Sequence, residues 1–417
     1  MSKTVVMVLA GGRGTRLGIL CQERPKPLLP LVGRFTVIDF ALSNAANSGL
    51  RQMAVLVDYQ RHLLKDYLWN GAPWLPGPGG SLEVLEPRAG SYLGTADAVH
   101  QNLAFIEASH ADLVLVLAAD HVYQMDYRKI IAHHECTGAD VTVAVTPVPL
   151  DKARRFGLVG INSSGQIASF EEKPLQPRSD LASMGIYVFG KEALTRYLRE
   201  DASDHTSAHD FGRSIIPAIV QKGRAFGYKF HGYWQDIGEV DSYYHANFEL
   251  ASRPDILCRD GDWPIFTNEE TPSLAPLELH VRSSFVEPAR SVPGRVENSI
   301  LSRGTRIEPE AVVRDSVLMA NCVVGRHSVI DRCILDEGVV IGESCYVGLG
   351  PRLGGDGADI TVVGKAVAVP PHTAIGRSSK VWPGVAISDF RTKVVPPDTV
   401  LTHAVTSVGA VVAPAFG

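Results

Sequence analysis

Two patterns of hydrophobic and polar positions divide the chain near residue 255. Before that point, short apolar runs rich in β-branched residues alternate with longer segments of helical pattern. Four of these runs are residues 5–9, 53–57, 113–117 and 141–145. Continuous apolar runs between helices are typical of strands that are buried on both faces of a largely parallel sheet. The pattern therefore predicts an α/β layer structure, with ligands bound beyond the carboxyl ends of the strands.

After residue 255 the helical pattern gives way to a six-residue period. Two series of aliphatic residues follow this period: Val317, Val323, Val329, Leu335, Ile341 and Val347, then Val363, Val369, Ile375, Val381 and Ile387. An aliphatic residue at every sixth position is the signature of a hexapeptide β-helix, whose coils stack on one another. The register breaks between the two series, so we expect the Gly-rich residues 348–362 to form a projecting loop.

These patterns predict three segments in the 417-residue chain. We expect an α/β domain at 1–255, a linker rich in Pro and Glu at 256–292, and a β-helix at 293–417. A chain of this length exceeds what one ordinary core accommodates, so two or more domains are expected.

Composition narrows the classes of function. Hydrophobic residues make up 45% of the chain and charged residues 20%, which is typical of a globular protein. The formal net charge is −5 and the basic residues are scattered, so nucleic-acid binding is not expected. The sequence has neither a long apolar run nor a separate signal segment, so we expect a cytoplasmic protein without membrane contact. The six cysteines form no CxxC pair, which disfavours a zinc ribbon.

The first predicted strand leads into a Gly-rich segment, LAGGRGTRL, at residues 9–17. Glycines allow backbone N–H groups to approach phosphate oxygens, and a following helix N-terminus adds a favourable dipole. Arg13 and Arg16 lie within this segment, and Lys26 follows in RPKPLLP. The segment matches neither GxGxxG nor GxxxxGK[ST], so by itself it could be only a tight turn. Together with three cations it predicts a site for a small polyanion such as a triphosphate.

Eight motifs occur in order along the first domain: GGRGTRL, RPKPLLPLVGRFTVIDFALSN, YLGTADAVHQN, LAADHVY, FEEKP, LASMGIYVF, HDFGRSIIP and YWQDIGEVDSYY. They resemble the sugar nucleotide pyrophosphorylases, and among them the bacterial glucose-1-phosphate adenylyltransferases. The resemblance implies a Rossmann-like nucleotidyltransferase domain followed by a left-handed parallel β-helix of hexapeptide repeats. It also implies an enzyme of glycogen biosynthesis that transfers AMP from ATP to α-D-glucose 1-phosphate, giving ADP-glucose and pyrophosphate.

The resemblance also implies the residues that bind the nucleotide. The nucleotide-binding residues would be Leu9, Ala10, Gly11, Gly12, Gly14, Thr15, Gly94 and Thr95. Arg16, Lys26 and Asp120 would be catalytic, with the two cations binding the triphosphate and stabilising the departing pyrophosphate. Asp120 and Asp236 would hold Mg²⁺, a hard cation that suits carboxylate and phosphate oxygens. We expect His121 to be structural, because Mg²⁺ disfavours imidazole.

Later motifs would bind the sugar phosphate. The residues implied are Tyr92, Gly157, Glu172, Lys173 and Ser183. Glu172 would accept hydrogen bonds from sugar hydroxyls, Lys173 would meet the phosphate, and Ser183 would touch the sugar. Gly157 would permit close approach, and Tyr92 would lie between the two substrates. Asp210 of the HDFG motif is expected to be structural.

Alternatives of different class stay open. A pyrophosphorylase with another base or sugar preference would share the same phosphate and metal residues. A non-catalytic regulatory subunit would have lost the charges at these positions, yet all of them are present. An acyltransferase built on the β-helix would leave the first domain unexplained. The resemblance further implies a homotetramer, with small phosphorylated allosteric effectors as candidate partners whose identity the sequence does not give.

Overall fold

The computed structural model describes residues 2–69, 71–75, 77–257, 262–268, 281–282, 285–286, 293–351 and 359–403. Most of the predicted linker, the centre of the predicted loop at 348–362 and the end of the predicted β-helix lie outside the described residues. The three segment boundaries therefore stay predictions. Among the described residues, no helix combines the length and the apolar character that a membrane span needs.

Helices and strands alternate along the N-terminal domain, which is defined here as residues 2–257. Its helices are α1 (Val37–Asn47), α2 (Arg61–Leu68), α3 (Thr95–Gln101), α4 (Leu103–Ala108), α5 (Tyr127–Thr137), α6 (Leu150–Ala153), α7 (Lys191–Ser203), α8 (Ile216–Lys222), α9 (Val240–Ala251) and α10 (Pro254–Leu257). Its strands are β1 (Thr4–Leu9), β2 (Pro30–Leu31), β3 (Phe35–Thr36), β4 (Gln52–Leu56), β5 (Ser81–Leu85), β6 (Leu113–Ala118), β7 (His121–Tyr123), β8 (Val141–Pro147), β9 (Gly157–Ile161), β10 (Ile167–Glu172), β11 (Leu181–Gly190), β12 (Ala225–Lys229) and β13 (Trp234–Asp236). Short 3₁₀ segments at Thr15–Cys21 and Lys26–Leu28 and a π-helical turn at Phe211–Ile215 complete it.

Nine strands form the central sheet of this domain. Seven of them run in the order β10-β9-β11-β6-β1-β4-β5, while β8 pairs with β11 and β12 pairs with β8. The half formed by β6, β1, β4 and β5 is parallel, as the continuous apolar runs predict. Strand β11 pairs antiparallel with β6, β8 and β9, a change of direction that apolar runs do not encode.

Helices cover both faces of the sheet. Along β1, Val5 and Met7 face one hydrophobic cluster, whereas Val6 and Val8 face the other, and all four side chains are fully buried. Helices α3, α4, α7 and α8 supply apolar side chains to the first cluster, and α1, α2 and α5 supply them to the second. Because both faces are covered, functional groups gather at the strand ends.

The C-terminal described residues form a parallel β-helix with three sheets. Its strands are β14 (Val281–Arg282), β15 (Phe285–Val286), β16 (Arg295–Glu297), β17 (Ile300–Leu301), β18 (Arg306–Ile307), β19 (Val312–Arg314), β20 (Val317–Leu318), β21 (Val323–Val324), β22 (Val329–Asp331), β23 (Cys333–Leu335), β24 (Val340–Ile341), β25 (Tyr346–Leu349), β26 (Thr361–Val363), β27 (Ala368–Val369), β28 (Ala374–Gly376), β29 (Lys380–Val381), β30 (Val394–Val395) and β31 (Val400–Leu401). A 3₁₀ turn lies at Ile387–Asp389. Every pairing between these strands is parallel.

In the first three positions of the first series, the residue that stacks inside the β-helix lies one position after the predicted one. Leu318 pairs with Leu335, 17 residues later, so this coil is one residue shorter than three hexapeptides. Inside the β-helix, Leu318, Val324 and Ile330 stack below Leu335, Ile341 and Val347. The predicted Val317, Val323 and Val329 therefore point outward, because neighbouring residues of a strand face opposite sides. At the other end of the series, Ile387 is 59% exposed.

One outer face of the β-helix packs against the N-terminal domain. Ile300, Val317, Ile334 and Val362 are buried on this face and share one hydrophobic cluster with Leu17, Leu20, Tyr243, Tyr244 and Leu250 of the N-terminal domain. The Tyr244 hydroxyl adds a 2.6 Å hydrogen bond to the carbonyl oxygen of Asp315. The two domains are thus joined by a continuous apolar core.

We predict that Ile334→Ala destabilises the protein by about 2–5 kcal/mol, because it leaves a cavity in this shared core. Val340→Ala is the matched control, since Val340 is 43% exposed on another face and should change stability by less than about 0.5 kcal/mol. Thermal unfolding of both variants checks the difference. Equal melting temperatures would contradict the shared core.

A buried carboxyl group gives the fold a pH dependence. The side chain of Asp39 in α1 is fully buried, accepts from the Thr36 backbone N–H at 2.8 Å and accepts from the Tyr67 hydroxyl. Burial raises the pKa of Asp39 to about 7, although these hydrogen bonds oppose the increase. Its folded pKa lies above the unfolded value, so its contribution to stability is lost as pH rises toward and through 7.

We therefore expect the melting temperature of Asp39→Asn, relative to wild type, to rise between pH 5 and pH 8. The asparagine amide keeps an acceptor for Thr36 and cannot ionise. Melting curves measured across this range check the expectation. A difference that stays constant with pH would show that Asp39 does not titrate there.

Candidate active site

The Gly-rich turn after β1 forms one wall of a cavity of about 470 Å³. Gly14 has a φ of +67°, and a Cβ at this position would lie 2.8 Å from the sulfur of Cys21, so the turn requires glycine here. The following segment, Thr15–Cys21, points its N-terminal end toward the same cavity through Thr15 and Arg16. A Cβ on Gly12 would meet no protein atom within 4 Å. The backbone of the turn is therefore open to a bound group.

The cavity gathers most of the predicted nucleotide-side residues. Of these, Leu9, Gly11, Gly12, Gly14, Thr15, Arg16, Lys26, Gly94, Thr95 and Asp120 line it, together with Tyr92. Ala10 does not line it, because this residue is buried and its backbone N–H donates to Leu56. A Cβ on Gly94 would collide with the carbonyl oxygen of His209, so this turn also requires glycine.

A short antiparallel pair brings the two predicted metal ligands together. Strand β13 pairs with β7 so that Asp236 lies opposite His121, next to Asp120. The ligand atoms of these three residues lie within 4.8 Å of one another, a spacing that suits a metal ion. Although His121 is predicted to be structural, its Nε2 lies within this group, 3.0 Å from Asp120 and 3.7 Å from Asp236.

The ammonium group of Lys26 bridges the two aspartates. Its Nζ lies 3.0 Å from Oδ2 of Asp120 and 3.7 Å from Oδ1 of Asp236, and the side chain is almost fully buried. Desolvation disfavours the charged carboxylate of Asp120, but the charges of His121 and Lys26 outweigh it and hold its pKa well below the usual range. We therefore expect Asp120 to be ionised throughout the physiological pH range.

Two further charged residues, which the sequence reasoning missed, surround Asp236. Nη2 of Arg155 lies 3.2 Å from the carboxylate of Glu239 and 3.8 Å from that of Asp236. The carboxylate of Glu239 also lies 3.7 Å from Nη1 of Arg16. Glu239 forms a capping box with Ser242 at the start of α9. Asp58, two residues after the end of β4, lines the cavity as well, and the rule that ligands gather at strand ends could have found it.

Three of the predicted sugar-phosphate residues, Gly157, Glu172 and Lys173, form a second group beside the cavity. Nζ of Lys173 lies 2.6 Å from Oε1 of Glu172, and a Cβ on Gly157 would lie 2.7 Å from the other carboxylate oxygen. A Cβ on Gly212 would approach the same oxygen to 2.6 Å. Gly212 joins this group to the cavity, because its N–H donates to Asp210, which lines the cavity.

Ser183 on β11 follows Ala182, which pairs with Leu158, the residue after Gly157. The Ser183 hydroxyl is 3.4 Å from that of Tyr187, a residue that the sequence reasoning did not select. Asp210 accepts hydrogen bonds from the hydroxyl of Thr95 at 2.8 Å and from two backbone N–H groups of the following turn. These bonds support the predicted structural role of Asp210.

Comparison with known proteins finds family models that match both domains. Residues 5–253 match the family model described as nucleotidyl transferase, and residues 278–369 match the model described as GlmU-like, C-terminal hexapeptide. A glucose-1-phosphate adenylyltransferase of Thermomicrobium roseum is 43% identical, with 95% of this chain and 97% of that protein aligned.

Other relatives carry the same name. The one from Thermotoga neapolitana is 41% identical over 94% of this chain and 97% of its own length, and the one from Bacillus thuringiensis is 39% identical over 83% and 94%. The chain belongs to the glucose-1-phosphate adenylyltransferase family. This membership confirms the resemblance, the nucleotidyltransferase class and the fold class predicted from the sequence: a Rossmann-like domain with a mostly parallel sheet, then a left-handed parallel β-helix of hexapeptide repeats. The individual site residues stay predictions.

The open backbone at Gly12 makes the cavity testable as an anion site. We predict that Gly12→Ala melts at the wild-type temperature but binds pyrophosphate about tenfold more weakly, a loss of about 1.4 kcal/mol, because the methyl group occupies space that the anion needs. Calorimetric titration with pyrophosphate measures the affinity. Gly190→Ala is the matched control, because a Cβ there also meets no atom within 4 Å and Gly190 lies outside the cavity. Equal affinity in both variants would contradict the assignment of this turn.

Proposed function

We propose that the chain transfers AMP from ATP to α-D-glucose 1-phosphate, releasing ADP-glucose and pyrophosphate for glycogen biosynthesis. The observation that carries this proposal is the meeting, at one cavity, of an open Gly-rich turn, a buried lysine and Asp120, with Asp236 paired to the same lysine. The near full-length similarity to proteins named glucose-1-phosphate adenylyltransferase supports the choice of nucleotide and sugar.

Mg²⁺ is the cofactor we propose for this reaction. The cluster offers two carboxylates of distant segments, which are the hard oxygen ligands that Mg²⁺ prefers and which leave positions for phosphate oxygens and water. Asp120 and Asp236 would hold the ion. When bound, Mg²⁺ would neutralise negative charge on the phosphates and polarise a phosphoryl oxygen. The ionised state of Asp120, which its cationic neighbours favour, fits this role.

The protein's own groups would align the two reactants. Backbone N–H groups of the turn at Gly11, Gly12 and Gly14 would bind the triphosphate, and Arg16 and Lys26 would neutralise it. A phosphate oxygen of glucose 1-phosphate would attack the α-phosphorus, and the bond from this phosphorus to the leaving pyrophosphate would break in line. Direct displacement of this kind depends on positioning and charge stabilisation and requires no covalent nucleophile.

The second group of residues would bind the sugar phosphate. Glu172 would accept hydrogen bonds from sugar hydroxyls, and its carboxylate pairs with the ammonium group of Lys173 at 2.6 Å. Lys173 would contact the phosphate and Ser183 the sugar, while Tyr92 would separate the substrates. The lack of a side chain at Gly157 lets the Glu172 carboxylate and the Phe170 ring approach the backbone, because a Cβ would lie 2.7 Å from each.

The oligomeric state, the location and the effectors of the enzyme are part of the same proposal. We propose a cytoplasmic homotetramer that responds to small phosphorylated effectors. Sedimentation of the purified chain tests the tetramer directly.

We predict that pyrophosphate release with glucose 1-phosphate and Mg²⁺ is fastest with ATP among ATP, UTP, dTTP, GTP and CTP. Asp120→Asn should lower kcat by about 100-fold or more, since it removes one charge from the metal site. Lys173→Ala should mainly raise the KM for glucose 1-phosphate. Lys380→Ala, which removes an exposed lysine on the β-helix, is the matched control and should leave both constants unchanged.

The outcomes of this assay separate the alternatives. Preference for another nucleotide would contradict the base assignment and leave the phosphate chemistry intact. Absence of pyrophosphate release with all five would favour a regulatory subunit of the same fold.

A further inference from the structure

A buried arginine connects the phosphate-binding segment to the β-helix. Nη2 of Arg24 lies 2.8 Å from Oδ1 of Asp336 and 3.1 Å from Oε2 of Glu337, both on the β-helix. Its Nη1 donates to the carbonyl oxygen of Leu20 at 3.2 Å, in the last turn of Thr15–Cys21. Lys365 completes the group at 2.9 Å from Glu337. One guanidinium group therefore contacts both domains.

The position of Arg24 in the chain links this group to the active site. Arg24 lies two residues before Lys26, and the exposed fractions of the two residues are 5% and 6%. Pro25 separates them, and its ring restricts the backbone between them. The same guanidinium holds the end of the segment that begins with Thr15 and Arg16. Movement of Arg24 would therefore displace groups on two sides of the cavity.

The contact between the two domains does not by itself explain why Arg24 and Asp336 form a buried ion pair. The apolar cluster around Ile334 already joins the two domains. A buried ion pair is no more stabilising on average than apolar side chains of the same volume, because both charges lose their hydration. What the pair adds is direction, since the planar guanidinium group fixes Nη2 at the two carboxylates and Nη1 at the carbonyl oxygen of Leu20.

We propose that Arg24 is a positioning residue, through which Asp336 and Glu337 of the β-helix hold the backbone of Lys26 where its ammonium group reaches Asp120 and, once the nucleotide binds, the phosphates. This inference rests on the proposed function. It makes the β-helix part of the catalytic apparatus of the same chain.

The test compares two carboxylates of the β-helix that are equally buried. Asp336→Ala removes one of the two carboxylates that contact Arg24, whereas Asp331→Ala removes a carboxylate that pairs with Arg314 and Arg377 of the β-helix. We expect Asp336→Ala to lower kcat roughly 10- to 100-fold, since small displacements of catalytic groups have effects of this size, with the KM for glucose 1-phosphate unchanged. Asp331→Ala should keep kcat within about twofold, even where it lowers the melting temperature. Equal losses of kcat in both variants would overturn the proposal.

A second pair of variants covers the case in which Asp336→Ala does not fold. Arg24→Lys keeps the charge and loses the fork, so its kcat should lie between those of wild type and Arg24→Met, with a melting temperature near wild type. The double variant Arg24→Met with Asp336→Leu should recover stability through apolar packing but not kcat. Recovery of kcat together with stability would show that the pair serves stability only.

A double variant tests whether the effect of Asp336→Ala on kcat passes through Lys26. In a Lys26→Met background, Asp336→Ala should lower kcat no further, because its effect passes through Lys26. A fully multiplicative loss would overturn the proposal.

Hydrogen exchange separates this inference from the proposed function. If the wild-type chain releases no pyrophosphate, the proposed function fails, and backbone exchange at residues 15–28 then tests the connection alone. Faster exchange in Asp336→Ala than in Asp331→Ala supports it. Equal exchange in the two variants contradicts it.

Discussion

Two carboxylates that lie side by side repel each other unless cations lie between them, and this constraint organises the active site. Asp120 and Asp236 meet because β13 pairs with β7, and the ammonium group of Lys26 bridges them. Arg155 adds a second cation beside Asp236, and the imidazole of His121 lies 3.0 Å from Asp120. The low pKa of Asp120 is a consequence of this arrangement, in which desolvation is outweighed by nearby positive charge. This balance between desolvation and nearby charge suits a site where a metal ion and phosphate groups bind beside the carboxylates.

Buried apolar surface on both sides of these charged residues fixes their positions in the fold. Strand β1 is buried on both faces, so its end at Leu9 is fixed before the backbone enters the Gly-rich turn. On the far side of Lys26, the β-helix packs on the N-terminal domain through Ile334 and its neighbours. The segment that carries Arg16 and Lys26 thus lies between the core of the central sheet and the apolar contact with the β-helix. This arrangement explains how a short irregular segment can hold catalytic groups in a constant position.

Local patterns predicted much of this from the sequence. Apolar runs indicated the parallel half of the sheet, and the six-residue period indicated the β-helix, because both reflect repeated burial along the chain. The period placed the stacked residue at Val317 instead of Leu318, since a coil of 17 residues shifts the register by one. The direction of β11 and the place of Arg155 depend on tertiary packing, which leaves no local pattern. The pairing of Arg24 with Asp336 joins residues 312 positions apart, so no local pattern in either segment indicates it.

A crystal structure of the chain with Mn²⁺, a non-hydrolysable ATP analogue and glucose 1-phosphate is the most direct test of this active site. Mn²⁺ replaces Mg²⁺ in oxygen-ligand sites and is located by its anomalous scattering. We predict one Mn²⁺ peak within coordination distance of both Asp120 and Asp236, with the ammonium group of Lys26 moved from Asp120 onto the phosphates. A peak distant from either aspartate, or a Lys26 that still bridges the two carboxylates while the nucleotide is bound, would contradict it.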